Sequence, residues 1–451
     1  MIMRPRRAVA SALVGGWLLL PVMSYQIAGF PDYTKVTATS LGLLLGISLF
    51  DPGRLPRFRI KWVDVPILVF CLSPMASSLS NGLGPYDGLS AVAAQVGSWG
   101  IPYFVGRLYF DSQEALLDLA VAMFIGGALC IPLCLWEVRM APNLHSLVYG
   151  YRPSRFVHLA RYGGYRPLLF MQSPLMVGMW MSAISLMMFW LWSSGSLRRL
   201  IGIPILYLLV PAVIVLVLCK AIGAIAIFLV GVGLFFATKC LARPWPLIAL
   251  LVAVACYAPL RISGVMGTET LVAAGTAVFD IQRTHSLRIR LENEDQLSEK
   301  AMERPILGWG RWGRNRVSSE TGKDVSLTDG LWIIVFGTSG WVGLMALVGI
   351  QLLPGYLLIS RWSASTWVEP RSAVVATFSV LLSLWAVDNL MNAFVNPIYI
   401  CAMGGVCSLP GRRPIVRRKE RRASVLSPSG HGRSGRDGVT WNTRAISMDT
   451  R

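Results

Sequence analysis

Apolar residues fall along the chain into blocks separated by short polar breaks carrying Pro or Arg, and the blocks run roughly 15–25 residues, the length that crosses about 30 Å of hydrocarbon at 1.5 Å per helical residue. They lie at about 8–30, 36–50, 63–81, 87–110, 115–136, 168–192, 199–219, 221–238, 246–262, 330–353, 372–391 and 394–409, which predicts about twelve transmembrane helices. Arg4, Arg6 and Arg7 precede the first block. That block is long and lacks a small-x-small exit, so it reads as a retained helix and not as a cleaved signal. The expected fold is therefore all-α and polytopic, divided into nine helices within 1–262 with a smaller loop at 137–167, a large loop at 263–329, three helices within 330–409, and a tail at 410–451.

Composition sharpens this picture. The chain is 54% apolar and 14% charged, against about 25% charged in soluble domains, which excludes an ordinary soluble enzyme and a disordered chain. The net charge of +19 would suggest nucleic acid in a soluble protein, but here the cations sit at block ends, so no nucleic-acid partner is expected. Arg54, Arg57, Arg59 and Lys61 share one short loop, Arg198 and Arg199 another, Lys239 and Arg243 a third, Arg361 and Arg371 a fourth. With an even number of spans all four face the cytoplasm, as do both termini, in accord with the positive-inside rule. The tail, rich in Gly, Ser and Arg, reads as a disordered cytoplasmic segment suited to anionic membrane lipid. The two long loops then lie outside, and 263–329 is far longer than a passive connector. The eight cysteines, Cys71, Cys130, Cys134, Cys219, Cys240, Cys256, Cys401 and Cys407, form no CxxC pair and sit in or beside apolar blocks. Neither a disulfide framework nor a metal site is expected.

Ionisable groups at membrane depth are costly and mark function. Lys220 lies between two apolar runs, Arg166 enters a block, and Asp388, Asn389, Asn392 and Asn396 cluster near the end of the eleventh block at spacings that place them on one helix side. These groups converge on the outer face as a site, the alternative being a buried network that locks helices together. In the large loop, Asn293-Glu294-Asp295-Gln296 predicts a helix start with Asn293 as cap, ending near Arg304 before Pro305. Residues 287–291 alternate and fit either an extended segment or a backward continuation of that helix. Pro305-Ile306-Leu307-Gly308-Trp309-Gly310-Arg311-Trp312-Gly313 formally contains GxGxxG, but without a strand-turn-helix unit it is no dinucleotide fingerprint. What it offers is a turn at Gly308, Trp309 and Gly310 whose bare amides can meet an anion. Trp309 and Trp312 suit interfacial anchoring or sugar stacking. His145, His158, His285 and His431 lack metal spacing.

The run RPILGWGRWG, followed by Thr328-Asp329-Gly330-Leu331-Trp332 and Gly340-Trp341-Val342-Gly343, resembles the signature of the O-antigen ligase/polymerase superfamily of bacterial envelope glycosyltransferases. The Cys219-Lys220-Ala221-Ile222-Gly223 element stands where that family has a Ser-Arg/Lys-Gly turn. The resemblance covers about 200–250 residues, mostly from Arg166 onwards. It implies transfer of a glycan from undecaprenyl diphosphate to an acceptor hydroxyl at the outer face of the bacterial inner membrane, in surface polysaccharide or exopolysaccharide synthesis. The partners implied are a polyprenyl-diphosphate-linked oligosaccharide, membrane lipid and other polysaccharide assembly proteins, with neither metal nor cofactor. Arg166 and Arg290 match the family's diphosphate-binding arginines, with Arg288 as second choice. Lys220, Gly308, Trp309, Gly310, Asp388 and Asn392 complete the expected substrate site. Asp329-Gly330 replaces the family's His-Asn, which favours polymerase-like chemistry over a ligase proper and makes Asp329 the candidate base, or else a helix cap. The competing reading is a transporter or flippase of lipid-linked glycan.

Overall fold

A computed structural model describes residues 3–26, 30–154, 159–161, 163–276, 281–311, 313–318, 324 and 326–410. Trp312, His158, His431 and the basic tail beyond 410 lie outside the described residues. The architecture is helical throughout, with three two-residue hairpins as the regular strands among the described residues. Seven helices are long and apolar enough to cross a membrane: Trp62–Ser80, Gln113–Met140, Pro174–Ser193, Ile222–Leu241, Trp245–Ile262, Leu331–Arg361 and Ala373–Met391. The chain is an all-α protein with membrane-spanning helices. In order, the helices used below are α1 (Pro5–Leu19), α2 (Lys35–Phe50), α3 (Val65–Ser80), α4 (Pro85–Gln95), α5 (Ile101–Tyr109), α6 (Gln113–Met140), α7 (Leu144–Tyr149), α8 (Pro174–Ser193), α9 (Leu206–Leu218), α10 (Ile222–Leu241), α11 (Trp245–Ile262), α12 (Thr268–Thr276), α13 (Ile281–Met302), α14 (Leu331–Arg361), α15 (Ala373–Met391) and α16 (Pro397–Ser408).

Each predicted block holds a helix, but several are shorter than the block. The first ends at Leu19, because Leu20 is extended ahead of Pro21. The block at 87–110 is α4 and α5 joined by a π-turn at Val96–Gly100. The block at 199–219 yields only α9, since Arg199–Leu200 pairs with Ile203–Pro204. α15 stops at Met391, where the Asn392 backbone turns extended, and Asn396 caps α16 by accepting from the Ile398 amide at 3.0 Å, so the predicted single helix side for Asn389, Asn392 and Asn396 does not exist. Ser112 and Ser173 cap α6 and α8 in the same way.

Packing follows small residues. A Cβ on Gly106 would meet the Cys401 carbonyl oxygen at 1.9 Å, and one on Gly404 the Tyr103 oxygen at 2.0 Å, so α5 and α16 cross in backbone contact. Arg107 and Asp64 close the end of this pair, Nε to Oδ1 at 2.8 Å, with the Tyr103 hydroxyl donating to the same oxygen at 2.9 Å. The basic turns gather at that end: Arg6 and Arg7 pair with Asp118, Arg54 Nε donates to the Leu108 carbonyl, and Arg361 Nη1 to that of Leu409.

The opposite end carries the long loops. α13 is one helix from 281 to 302, so residues 287–291 continue it and Asn293 is no cap. Its Nδ2 donates to the Ile289 carbonyl at 2.7 Å and its Oδ1 accepts from the Leu327 amide at 2.7 Å. The local capping signal loses to a tertiary one, because Leu297 and Ala301 pack into a second small core with Tyr257, Ala258, Trp332, Ile333, Phe336 and Leu344. α14 breaks at Gly340, φ 62° and ψ −160°, a conformation open to glycine. The 305–310 run docks into that break: Trp341 N donates to Pro305 O at 2.7 Å, Trp309 N to Gly337 O at 2.9 Å and Gly310 N to Thr338 O at 3.0 Å. Ser77 Oγ donates to the Thr338 carbonyl at 2.7 Å and also reaches Leu307 O.

Candidate functional site

That docking corrects the expectation for Gly308, Trp309 and Gly310. Their run is no bare-amide anion turn, because the amides of Trp309 and Gly310 replace partners that the broken helix lacks. A Cβ on Gly308 would lie 2.5 Å from the Thr338 backbone, so this glycine serves close approach. Trp309 Nε1 donates to the Lys300 carbonyl at 2.8 Å, with Lys300 Nζ 4.0 Å over its ring.

The arginines converge instead. A cavity of about 400 Å³ is lined by Arg161, Arg166 and Arg290, together with Ser154, Ala160, Ser173, Pro174 and Leu175. Arg161 and Arg166 flank a hairpin in which Ala160–Arg161 pairs with Gly164–Tyr165. The turn between α9 and α10 holds this hairpin from below. Arg166 Nε donates to the Cys219 carbonyl at 3.1 Å, and Lys220 Nζ to the Arg161 carbonyl at 2.6 Å. Lys220 adopts φ 52°, a left-handed conformation uncommon outside glycine. Beyond Arg166, Glu137 Oε2 accepts from the amides of Leu168 and Leu169, both at 2.7 Å, and fixes the path into α8.

Arg166 is 7% exposed, and its Nη2 has no hydrogen-bond partner among the described residues. Burial, and then the like charge of Arg161, push its pKa down to about 10. Buried donors without partners are rare and need an explanation; a cavity lined by guanidinium groups supplies one, since an anion would satisfy both hydrogen bonds and charge.

Arg290 reaches the cavity from α13. Its Nε lies 3.2 Å from Asp329 Oδ2, and its Nη1 donates to the Met391 carbonyl at 3.1 Å. Asn392 follows directly, with Nδ2 donating to Asp388 Oδ1 at 2.7 Å and its carbonyl accepting from the Leu331 amide at 3.2 Å. Asp329, Arg290, Asn392 and Asp388 thus form one chain of contacts at the head of α14 and the foot of α15. Gly330, and not Asp329, is the cap residue of α14, so Asp329 is not the helix cap that its position allowed. Arg288 points elsewhere and pairs with Glu269 at 2.5 Å. Asp388 and Asn389 are buried, and both amide atoms of Asn389 lack partners among the described residues.

Three groups here escaped sequence reasoning. Arg161 and Glu137 carried only weak signals, a Gly-Gly turn between two arginines and an acid ending an apolar block. The third is a network around Glu294, 5% exposed, whose Oε2 accepts from the Tyr257 hydroxyl at 2.9 Å and Arg261 Nε at 3.3 Å, and whose Oε1 accepts from Trp332 Nε1 at 3.3 Å. Among the described residues, no group of three or more His, Cys, Asp or Glu side chains comes together that could hold a metal ion. No protein-family model matches the chain, and no curated protein matches its sequence.

Proposed function

We propose that the chain is a membrane glycosyltransferase of the O-antigen ligase/polymerase type, moving a glycan from undecaprenyl diphosphate to an acceptor hydroxyl in surface polysaccharide or exopolysaccharide synthesis. The observation that carries this reading is the single cavity lined by Arg161, Arg166 and Arg290. Guanidinium groups grip phosphate oxygens in bidentate fashion, and a diphosphate leaving group gains negative charge as its bond to the anomeric carbon breaks. The acceptor oxygen attacks that carbon, the new glycosidic bond forms, and the acceptor proton passes to Asp329, which Arg290 holds beside the leaving group. Counting α1, α2, the α4–α5 pair, α9 and α16 with the seven long helices makes about twelve spans. The basic end faces the cytoplasm of a bacterial inner-membrane protein, and the arginine cavity faces outward.

Three experiments test this. In a strain lacking the chain, single lipid-linked repeat units should accumulate on the outer leaflet; accumulation on the inner leaflet would identify a flippase instead. Asp329→Asn should insert normally yet lose on the order of 10²-fold in activity, with Asp329→Glu partly active. Polymer made at the normal rate by Asp329→Asn would remove Asp329 from the mechanism. Reporters fused after Ser319 and after Ser427 should read outside and inside respectively, and agreement between them would overturn the topology.

A further inference from the structure

Arg290 and Asp329 belong to segments 39 positions apart in sequence, and the pair they form is half-exposed. Contacts of that kind are weak on their own. Something else must fix the distance between α13 and the head of α14. One helical turn beyond Arg290, the Glu294 side chain turns into the second small core. Its two oxygens are divided between elements: Oε1 takes the indole N–H of Trp332, three residues after Asp329, and Oε2 takes Tyr257 and Arg261 from α11. Arg261 is itself fully engaged. Its Nη2 donates to the Leu291 carbonyl at 2.9 Å and lies 2.6 Å from Asp295 Oδ1, and its Nη1 donates to Met266 O at 2.7 Å.

We propose that Glu294 is a positioning residue that holds Arg290 and Asp329 in register at the arginine cavity, by tying α13 to α11 and to the first turn of α14. This rests on the glycosyltransferase reading for its consequence but not for its geometry. The carboxylate projects from the helix that carries the cation and bonds both α11 and the helix that follows the base. Removing it leaves the Arg261 guanidinium, the Trp332 indole and the Tyr257 hydroxyl without their shared acceptor in an apolar surround, which is costly for a charged donor. α13 would then lift from α14, and the cavity would lose its third arginine.

The test uses full-length protein purified in lipid nanodiscs, as wild type, Glu294→Ala, Glu294→Gln and, as a control just past the C-terminus of the same helix, Glu303→Gln. Two readouts are taken. Hydrogen exchange over 284–302 and 329–336 reports docking, and binding of inorganic pyrophosphate reports the cavity. Glu294→Ala should raise exchange in both segments by tenfold or more and weaken pyrophosphate binding at least tenfold. Glu294→Gln, which keeps an acceptor for one donor, should recover most of both, and Glu303→Gln should match wild type. Unchanged exchange in Glu294→Ala would overturn the inference whatever the protein's activity. Raised exchange with unaltered pyrophosphate affinity would overturn it too, since Glu294 would then hold the loop without setting the site. Wild-type protein that fails to bind pyrophosphate would count against the glycosyltransferase reading alone, because the exchange arm still decides whether Glu294 fixes α13 to α14.

Discussion

Two buried arginines, Arg107 and Arg166, sit at opposite ends of the bundle and are equally hidden, each 7% exposed. Their surroundings differ. Arg107 meets Asp64 through Nε at 2.8 Å and Nη2 at 3.1 Å, and Asp64 is also bonded by Tyr103 and by the Lys61 amide. Arg166 has a backbone carbonyl on Nε, a second arginine nearby, no partner on Nη2 among the described residues and a cavity in front of it. The first is a closed ion pair that finishes a helix contact. The second is an open cation that faces a cavity. Burial alone does not separate these two charges; the completeness of their pairing does.

The comparison breaks most sharply at stability. Asp64→Ala leaves Arg107 buried without its counter-charge, and the expected loss is about 3–5 kcal/mol, read as loss of folded protein in membranes or a large fall in thermal stability. Arg166→Met removes an under-partnered guanidinium and should leave thermal stability near wild type while abolishing polymer. Arg166→Lys keeps charge but not the planar fork, and activity should fall on the order of 10²-fold. Equal destabilisation by Asp64→Ala and Arg166→Met would erase the distinction.

A middle-sized effect tests the loop. Burial raises the Glu294 pKa from 4.5 to about 7, against the lowering influence of Tyr257, Arg261 and Trp332. Because docked α13 favours the protonated acid more than solvent does, docking is strongest below about pH 4.5 and weakens as pH rises towards 7. Besides those three groups, Asp295 shares Arg261 and Thr268 lies within reach of it. The protection of α13 against hydrogen exchange, with the intrinsic rise of amide exchange with pH divided out, should therefore fall roughly tenfold between pH 5 and 8 in wild type, a change of about 1.4 kcal/mol, and stay flat in Glu294→Gln. A pH-independent wild type would show that Arg261 compensates the carboxylate fully.

Much of this was legible in the chain. Block length gave the apolar helices, and Pro21, Pro305 and Pro397 lie where helices stop or start. The family resemblance puts Arg290 first and Arg288 second, and of the two only Arg290 lines the cavity. What stayed hidden shares one cause, that its partners are distant in sequence. Asp64 and Arg107 are 43 residues apart, and Glu294 and Tyr257 are 37 apart. Glu294 read as a first-turn acid because no local pattern distinguishes a buried carboxylate from a capping one. The GWG run misled for the opposite reason. Its local pattern suggested a free turn, while the break at Gly340, which it fills, lies 30 residues later.

The smallest effect concerns Lys220, expected as a substrate contact and found with Nζ bonded to the Arg161 carbonyl. Its φ of 52° costs a non-glycine residue about 1 kcal/mol, so Lys220→Gly relieves backbone strain. The same change removes one hydrogen bond from a charged donor, worth about 1.5–3 kcal/mol when buried and less in this half-exposed setting. The two terms oppose each other, and thermal stability should move by no more than about 1 kcal/mol. Activity should fall nonetheless, because the Arg161–Arg166 hairpin loses one of its two tethers to the turn. Lys220→Arg keeps the cation but not the single-point reach, and should sit between wild type and Lys220→Gly. If Lys220→Gly were as active as wild type, the hairpin would be held by Arg166 and Cys219 alone, and Lys220 would stand with Arg107, a charge that completes the fold and takes no part in the cavity.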